Sequence, residues 1–187
     1  MSQQVYQERA LAASLKFRYP SAVTFGRLAY VVCIGLAVAF GIRWWVVEPI
    51  VIASPSMEPT LLTGVQLFND KITLKLRDIR RGDIIVFAPP EGEPSHELVK
   101  RVVGLPGETV ELRQKRVYIG GEPLREPYAQ FKRKDEQLQG DNLGPITLSK
   151  RCLFVLGDNR DESRDSAVWS DPCLPVSKVK GLVRGAF

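Results

Sequence analysis

From Leu28 to Ile42 the chain runs fifteen residues without a charge, L-A-Y-V-V-C-I-G-L-A-V-A-F-G-I, and no other stretch restricts the fold as strongly. As a helix it rises about 22 Å, short of the roughly 30 Å hydrocarbon core of a bilayer. Its flanks lengthen it. Ala22 to Phe25 are mostly apolar, and Val46 and Val47 continue past Trp44-Trp45. Arg27 and Arg43 can snorkel towards headgroups, and the tryptophan pair suits the interfacial belt. The pattern predicts one N-terminal transmembrane anchor helix over 22–47. Ala37-Val38-Ala39 also fits a signal-peptide cleavage site, but the apolar run continues beyond it. The segment has no polar face to turn to water, which argues against a helix lying on a soluble core.

Charge orients the anchor. Arg9, Lys16, Arg18 and Arg27 precede or open it against one acid, Glu8, and no Lys or Arg lies between Trp44 and Asp70. Positive charge stays inside. Residues 1–21 are therefore expected in the cytoplasm and 48–187 outside it, in a single-pass protein of a cell inner membrane or thylakoid membrane. The net charge of +5 is scattered and carries no aromatic-rich recognition motif, so nucleic acid is not an expected partner. The chain has one histidine and three cysteines, with no C-x-x-C pair. His96-Glu97 opens like a zinc-protease motif, but Lys100 stands where the second histidine belongs, so no metal is expected.

After Glu48 the pattern changes to short runs of branched residues bounded by Gly, Pro or Asp: Val65–Phe68, Asp83–Phe87, Leu98–Val103, Thr109–Leu112, Val117–Ile119, Cys152–Leu156 and Lys178–Val183. Thr109–Ile119 reads as a hairpin across Gln114-Lys115-Arg116, and Gly120-Gly121 as a second turn. Lys132–Asn142 is polar and reads as a surface loop or small insertion. No convincing amphipathic helix follows residue 48. The expected fold over 48–187 is mainly β, an antiparallel β-sheet domain.

Residues 54–61 read Ser-Pro-Ser-Met-Glu-Pro-Thr-Leu, two serines held between prolines that restrict the backbone. A nucleophilic hydroxyl needs such placement, because a shift of about 1 Å can cost on the order of 100-fold in rate. Its base would be the lone His96, which sits in a polar, loop-like stretch, or a lysine whose neutral form is populated through burial. Strand alternation puts Leu98, Lys100 and Val102 on one face, which is apolar apart from Lys100. An edge-strand lysine facing solvent fits the same pattern.

Four boxes in this order resemble those of type I signal peptidases (leader peptidases), membrane-bound Ser/Lys endopeptidases: Ser54–Leu61, Arg81–Phe87, Lys100–Glu108 and Gly157–Ser166. The resemblance extends from Glu48 to the C-terminus. It implies Ser56 as nucleophile and Lys100 as general base. It implies Ser54 as an oxyanion donor beside the Ser56 N–H, and Ser163 as the group orienting the lysine amine. Asp158, Arg160 and Asp165 match a structural ion-pair cluster. Ile52, Met57, Leu61, Leu98 and Val99 match the wall around the scissile bond. The implied reaction removes N-terminal signal peptides from exported preproteins after small residues of the Ala-x-Ala type, without a cofactor. The implied partners are those signal peptides, membrane lipid and a secretion translocon. Three departures stand out: Ala53 where a proline is usual, Pro55 between the two serines, which leaves the Ser56 N–H as donor, and Ala167 where an arginine is frequent, which puts one salt bridge in doubt. A self-cleaving Ser/Lys peptidase of a related fold and a catalytically idle membrane assembly factor are the competing readings. Gly157–Ser166 is not a calcium loop, since no glycine stands sixth from Asp158. Cys152 and Cys173 would lie on the oxidising side, where a disulfide is permitted and two free thiols are the alternative.

Overall fold

The computed structural model describes residues 22–45, 47–93 and 96–185. The chain separates into two compact units, one ending at Ile42 and the other beginning at Arg43. In the first, helix α1 covers Ala22–Trp45, with apolar residues on all sides. Phe25, Leu28, Tyr30, Val31, Leu36 and Phe40 are exposed. Among the described residues, no helix is long and apolar enough to cross a membrane. The expected cytoplasmic segment 1–21 lies outside the described residues.

The second unit is mainly β. Its strands are β1 Val47–Val51, β2 Gln66–Asp70, β3 Ile84–Phe87, β4 Leu98–Gly104, β5 Thr109–Arg113, β6 Arg116–Ile119, β7 Glu122–Pro123, β8 Leu143–Thr147, β9 Cys152–Leu156, β10 Leu174–Pro175 and β11 Val179–Arg184. They form a seven-stranded sheet ordered β1-β2-β11-β3-β4-β9-β10 and a four-stranded sheet ordered β7-β6-β5-β8. Neighbouring strands are antiparallel throughout. The only helix described after β1, apart from 3₁₀ turns, is the single turn α2, Thr73–Leu76.

Several differences from the sequence pattern have physical reasons. Val47, assigned to the anchor, opens β1 instead. Pro49 interrupts any strand signal there, yet β1 is the edge of its sheet, where a missing N–H is tolerated. Strand β8 is hidden by Gly144-Pro145 and forms because β5 offers a partner edge. The β5–β6 link is two residues rather than three. Gln114 and Lys115 both take positive φ, +48° and +68°, as a tight hairpin turn with the natural strand twist requires. The polar segment 132–142 is indeed loop, and Asp161 pins it by accepting the Lys132 and Arg133 N–H groups at 2.5 and 2.6 Å.

Three apolar clusters hold the unit together. Ile85, Phe87, Val102, Leu153, Val155, Trp169, Leu174 and Leu182 form one. Val103, Val110, Leu112, Val117, Phe154 and Leu156 join the two sheets. Ile52, Met57, Leu61, Leu67, Ile84, Val86 and Val183 pack together around the turn after β1. Burying each such side chain contributes about 1.5–3 kcal/mol before chain entropy is counted. Cys152 and Cys173 are joined as a disulfide, with Cα atoms 5.3 Å apart and a sequence separation of 21. The bond closes the segment that carries residues 157–166. A loop of this length predicts a loss of about 3 kcal/mol when the cross-link is removed. Denaturant unfolding of Cys152→Ala/Cys173→Ala against the oxidised protein measures it. Equal midpoints would show that the bond does not stabilise the fold.

Candidate active site

Ser56 lies in a 3₁₀ turn, Pro55–Met57, entered from the extended residue Ser54. Pro55 presets the first φ of the turn. Met57 and Leu61 are buried on its inner side, and the Leu61 N–H closes onto the Met57 carbonyl. Asn159 clamps the turn from outside. Its side-chain amide donates to the Pro55 carbonyl at 3.1 Å and its backbone N–H to the Ser56 carbonyl at 3.1 Å. The Ser56 backbone is therefore held from both sides.

Lys100 is the third residue of β4, paired with Ile85 of β3. On the other side β9 ends at Leu156, opposite Arg101, and the chain turns at Gly157. The Lys100 side chain is buried, with 3% of the residue exposed, and Ser56 is 5% exposed. The Lys100 Nζ and Ser56 Oγ are 2.6 Å apart. Ser54 Oγ lies 3.0 Å from Ser56 Oγ. Burial pushes the Lys100 amine below its ordinary value, because the charged form loses its hydration. The carboxylates of Asp165, Glu93 and Asp158 act against that shift.

The turn after β9 supplies the surroundings. Asp165 is buried. It accepts from the Ser163 hydroxyl at 2.5 Å, the Gly157 N–H at 2.9 Å and the Ala167 N–H at 3.1 Å. Burial raises its carboxyl above the ordinary range, while these donors and Lys100 oppose the rise. Asp158 binds Arg101 through two hydrogen bonds, 2.8 and 2.6 Å. Arg101 also reaches the Gly82 carbonyl and lies 4.1 Å over the Tyr128 ring. Arg160 pairs with Glu126 at 2.5 Å and donates to the Gly157 carbonyl at 3.1 Å.

The ion-pair cluster expected of Asp158, Arg160 and Asp165 thus takes another form. The three do not pair with one another. Each finds its own partner, Arg101, Glu126 and the Ser163 hydroxyl. Ser163 stands across Gly157 from the Ser56 backbone, and its hydroxyl is engaged by Asp165 rather than by the Lys100 amine. Of the expected wall residues, Ile52, Met57, Leu98 and Val99 line a cleft with Ser54, Ser56 and Lys100. Leu61 instead packs into the buried cluster with Ile52 and Met57. His96, placed by the sequence in an exposed loop, is exposed and also lines this cleft, as does Glu97. Pattern reading missed Asn159, Arg101 and Gly157 as site residues, although all three fall inside the four boxes. The contacts of Arg101 with Asp158, Gly157 with Ser56 and Asn159 with Pro55 link segments 57 to 104 residues apart, which no local spacing reveals.

Residues 25–187 match the family described as "Signal peptidase, peptidase S26". A signal peptidase I P of Bacillus subtilis subsp. natto is 39% identical over 139 residues, which cover 72% of this chain and 74% of that protein. A signal peptidase I of Leptolyngbya laminosa is 45% identical over 144 residues, 73% of this chain and 68% of that one. A solved signal peptidase I from Enterococcus faecalis V583 shares 31% identity, over 57% of this chain and 97% of that one, with a TM-score of 0.46. The chain belongs to the signal peptidase family, peptidase S26. It is accordingly a hydrolase, a serine endopeptidase that processes signal peptides.

Gly157 yields a direct test of the packing. A Cβ there would collide with the Ser56 carbonyl oxygen and with the Ser163 side chain. Gly157→Ala is expected to lower kcat/KM by about 100-fold or more, by moving the Ser56 turn relative to Lys100. Circular dichroism should still report a folded β protein. A variant with normal kinetics would show that this contact does not position Ser56.

Proposed function

We propose that Ser56 and Lys100 form the catalytic dyad with which this protein cuts signal peptides from exported preproteins. One observation carries the assignment: a buried amine 2.6 Å from a buried serine hydroxyl that lies in a braced turn. His96 makes no hydrogen bond to Ser56 among the described residues, and Lys100 does. With its amine neutral, Lys100 takes the proton as Ser56 Oγ attacks the scissile carbonyl, and returns it to the leaving amine. Water then hydrolyses the acyl-enzyme, with Lys100 again as base. The Ser56 N–H sits in the first turn of a 3₁₀ helix, which leaves it no acceptor within the turn. Together with the Ser54 hydroxyl it supplies the oxyanion site, where one donor is worth about 2.7–4 kcal/mol.

The signal-peptide end would lie extended along the cleft between Val51–Ser54 and His96–Val99. Ile52, Met57, Leu98 and Val99 leave shallow apolar room that suits small side chains such as alanine. The exposed apolar surface of α1 and the charge bias of its flanks support a membrane anchor with residues 48–187 outside the cytoplasm. Such an anchor confines enzyme and preprotein to one surface and raises their effective concentration. A secretion translocon would deliver the substrate.

The pH dependence is set by the direction of the Lys100 shift. Lowering the amine below 10.5 places its deprotonation nearer working pH, so kcat/KM should rise with pH as the neutral form fills. For stability the sign is the same. Below the lowered value both folded and unfolded chains hold the proton and the burial cost is full. That cost fades as pH rises from the lowered value towards 10.5. Ser56→Ala and Lys100→Arg are both expected to abolish cleavage of a labelled preprotein in detergent, the second because guanidinium stays protonated. His96→Ala should keep the Lys100-dependent rise. An active Lys100→Arg protein would remove Lys100 as the base.

Protease added to right-side-out vesicles tests the topology. Residues 48–187 should be digested, and their protection would overturn the proposed orientation.

A further inference from the structure

The cleft beside Ser56 and Lys100 is mostly apolar, and its titratable groups are few. One side is formed from Val51–Met57, a stretch with no charged residue. The other side, His96–Lys100, brings His96, Glu97 and Lys100. The Lys100 amine is taken up with Ser56. Glu97 is paired with Lys180 of β11 at 2.5 Å. Glu93, earlier in the same loop, is held by Arg164 at 2.9 Å and lines a different cavity. His96 is left over. It is exposed, and among the described residues it takes part in no hydrogen bond or ion pair. It is also the one histidine of the chain.

The place of His96 along the cleft is as informative as its freedom. Strand β4 pairs with β3 over Leu98–Arg101, but its pairing with β9 begins only at Arg101. The other edge of Leu98–Lys100 has no strand partner among the described residues, so an extended peptide can pair along it. Extended chains place every second side chain on one face, at about 3.3 Å per residue. Lys100, Leu98 and His96 follow one another at two-residue steps, spanning at most about 13 Å. A peptide with its scissile carbonyl at Ser56 and its preceding residues beside Leu98 and Val99 takes the same steps. Its first and third residues before the cut meet the apolar part of the cleft. Its fifth comes level with His96.

We propose that His96 is a specificity-determining residue, which reads the fifth residue before the cut and favours a carboxylate there when the imidazole is protonated. The inference rests on the cleft as the signal-peptide site. An imidazole changes charge between pH 5 and 8 and, once charged, donates from both ring nitrogens. The acid in its own segment, Glu97, is already taken by Lys180. The facing stretch Val51–Met57 supplies no competing acid. A substrate carboxylate is therefore the counter-charge open to His96. The neutral imidazole keeps one donor and loses the charge, so the preference fades as pH rises. Because the site is exposed, the pair is worth a modest factor, about 1.5- to 5-fold.

The test is a competition between two signal-peptide substrates that differ only at the fifth residue before the cut, Glu against Gln. Full-length protein cleaves both in one detergent solution, at pH values from about 5.5 to 8.5, a range in which a free Glu of pKa about 4.3 stays ionised. The ratio of the two kcat/KM values cancels the protonation of Lys100, which both substrates share. With the wild-type protein the Glu/Gln ratio should rise by about 1.5- to 5-fold as pH falls. With His96→Gln it should stay flat. A flat ratio in the wild type, or an equal rise in His96→Gln, would overturn the proposal. So would an equal rise when the same exchange is made at the eighth residue, about 10 Å farther out, since the preference would then belong to the basic chain as a whole. Lys100→Ala keeps the two readings apart. An active Lys100→Ala protein would remove the proposed base and leave the His96 ratio standing. A flat wild-type ratio beside an inactive Lys100→Ala protein would remove only the role of His96.

Discussion

Everything at this site depends on one buried contact, the 2.6 Å approach of the Lys100 amine to the Ser56 hydroxyl. An ammonium group removed from water costs several kcal/mol, so burial alone pushes the amine towards its neutral form. That cost is what would let Lys100 serve as the proposed base. The fold accepts it on β4, an interior strand of the seven-stranded sheet, where the backbone is paired on both sides and does not yield. The carboxylates that oppose this shift have other partners. Asp165 is occupied by three donors, and Asp158 by Arg101. Neither is left free to form a direct ion pair with the lysine.

The serine is constrained by a different means. Its turn has no sheet partners, so its rigidity comes from proline, from the apolar residues Met57 and Leu61 packed beneath it, and from the two hydrogen bonds of Asn159. Asn159 follows Asp158, and Asp158 is anchored to the residue after Lys100. One short turn thus references Ser56 and Lys100 to each other. Gly157 leads into that turn because the Ser56 carbonyl and the Ser163 side chain leave no space for a Cβ. The disulfide at Cys152 and Cys173 brackets the same segment and limits how far it can depart when the chain opens.

Much of this was legible in advance. Branched runs bounded by turn residues mark most strands, because a half-buried pleated surface selects those side chains wherever it occurs. The alternation Leu98, Lys100, Val102 correctly points the lysine into an apolar face. What hides β1 and β8 is proline, which erases the local strand signal while leaving an edge position open to it. Leu61 and Met57 share a composition suited either to a substrate wall or to a core. Met57 lines the cleft and joins the buried cluster, whereas Leu61 lies in the cluster and not along the cleft. His96 shows the reverse case: a loop residue by composition, it is carried to the rim of the cleft by the way β3 and β4 pair.

The sequence by itself determined the apolar segment, the mainly β character of the chain beyond Glu48, and the boxes whose resemblance singles out Ser56 and Lys100. These are local properties, set by side-chain type and by periods of a few residues. Only the tertiary structure decided the partners: Asp158 with Arg101, Arg160 with Glu126, Ser163 with Asp165, Arg164 with Glu93. Charged side chains have long reach and many possible counterparts. Which one each takes depends on strands brought together across the sheet, and on burial that makes an unpaired charge too costly to keep.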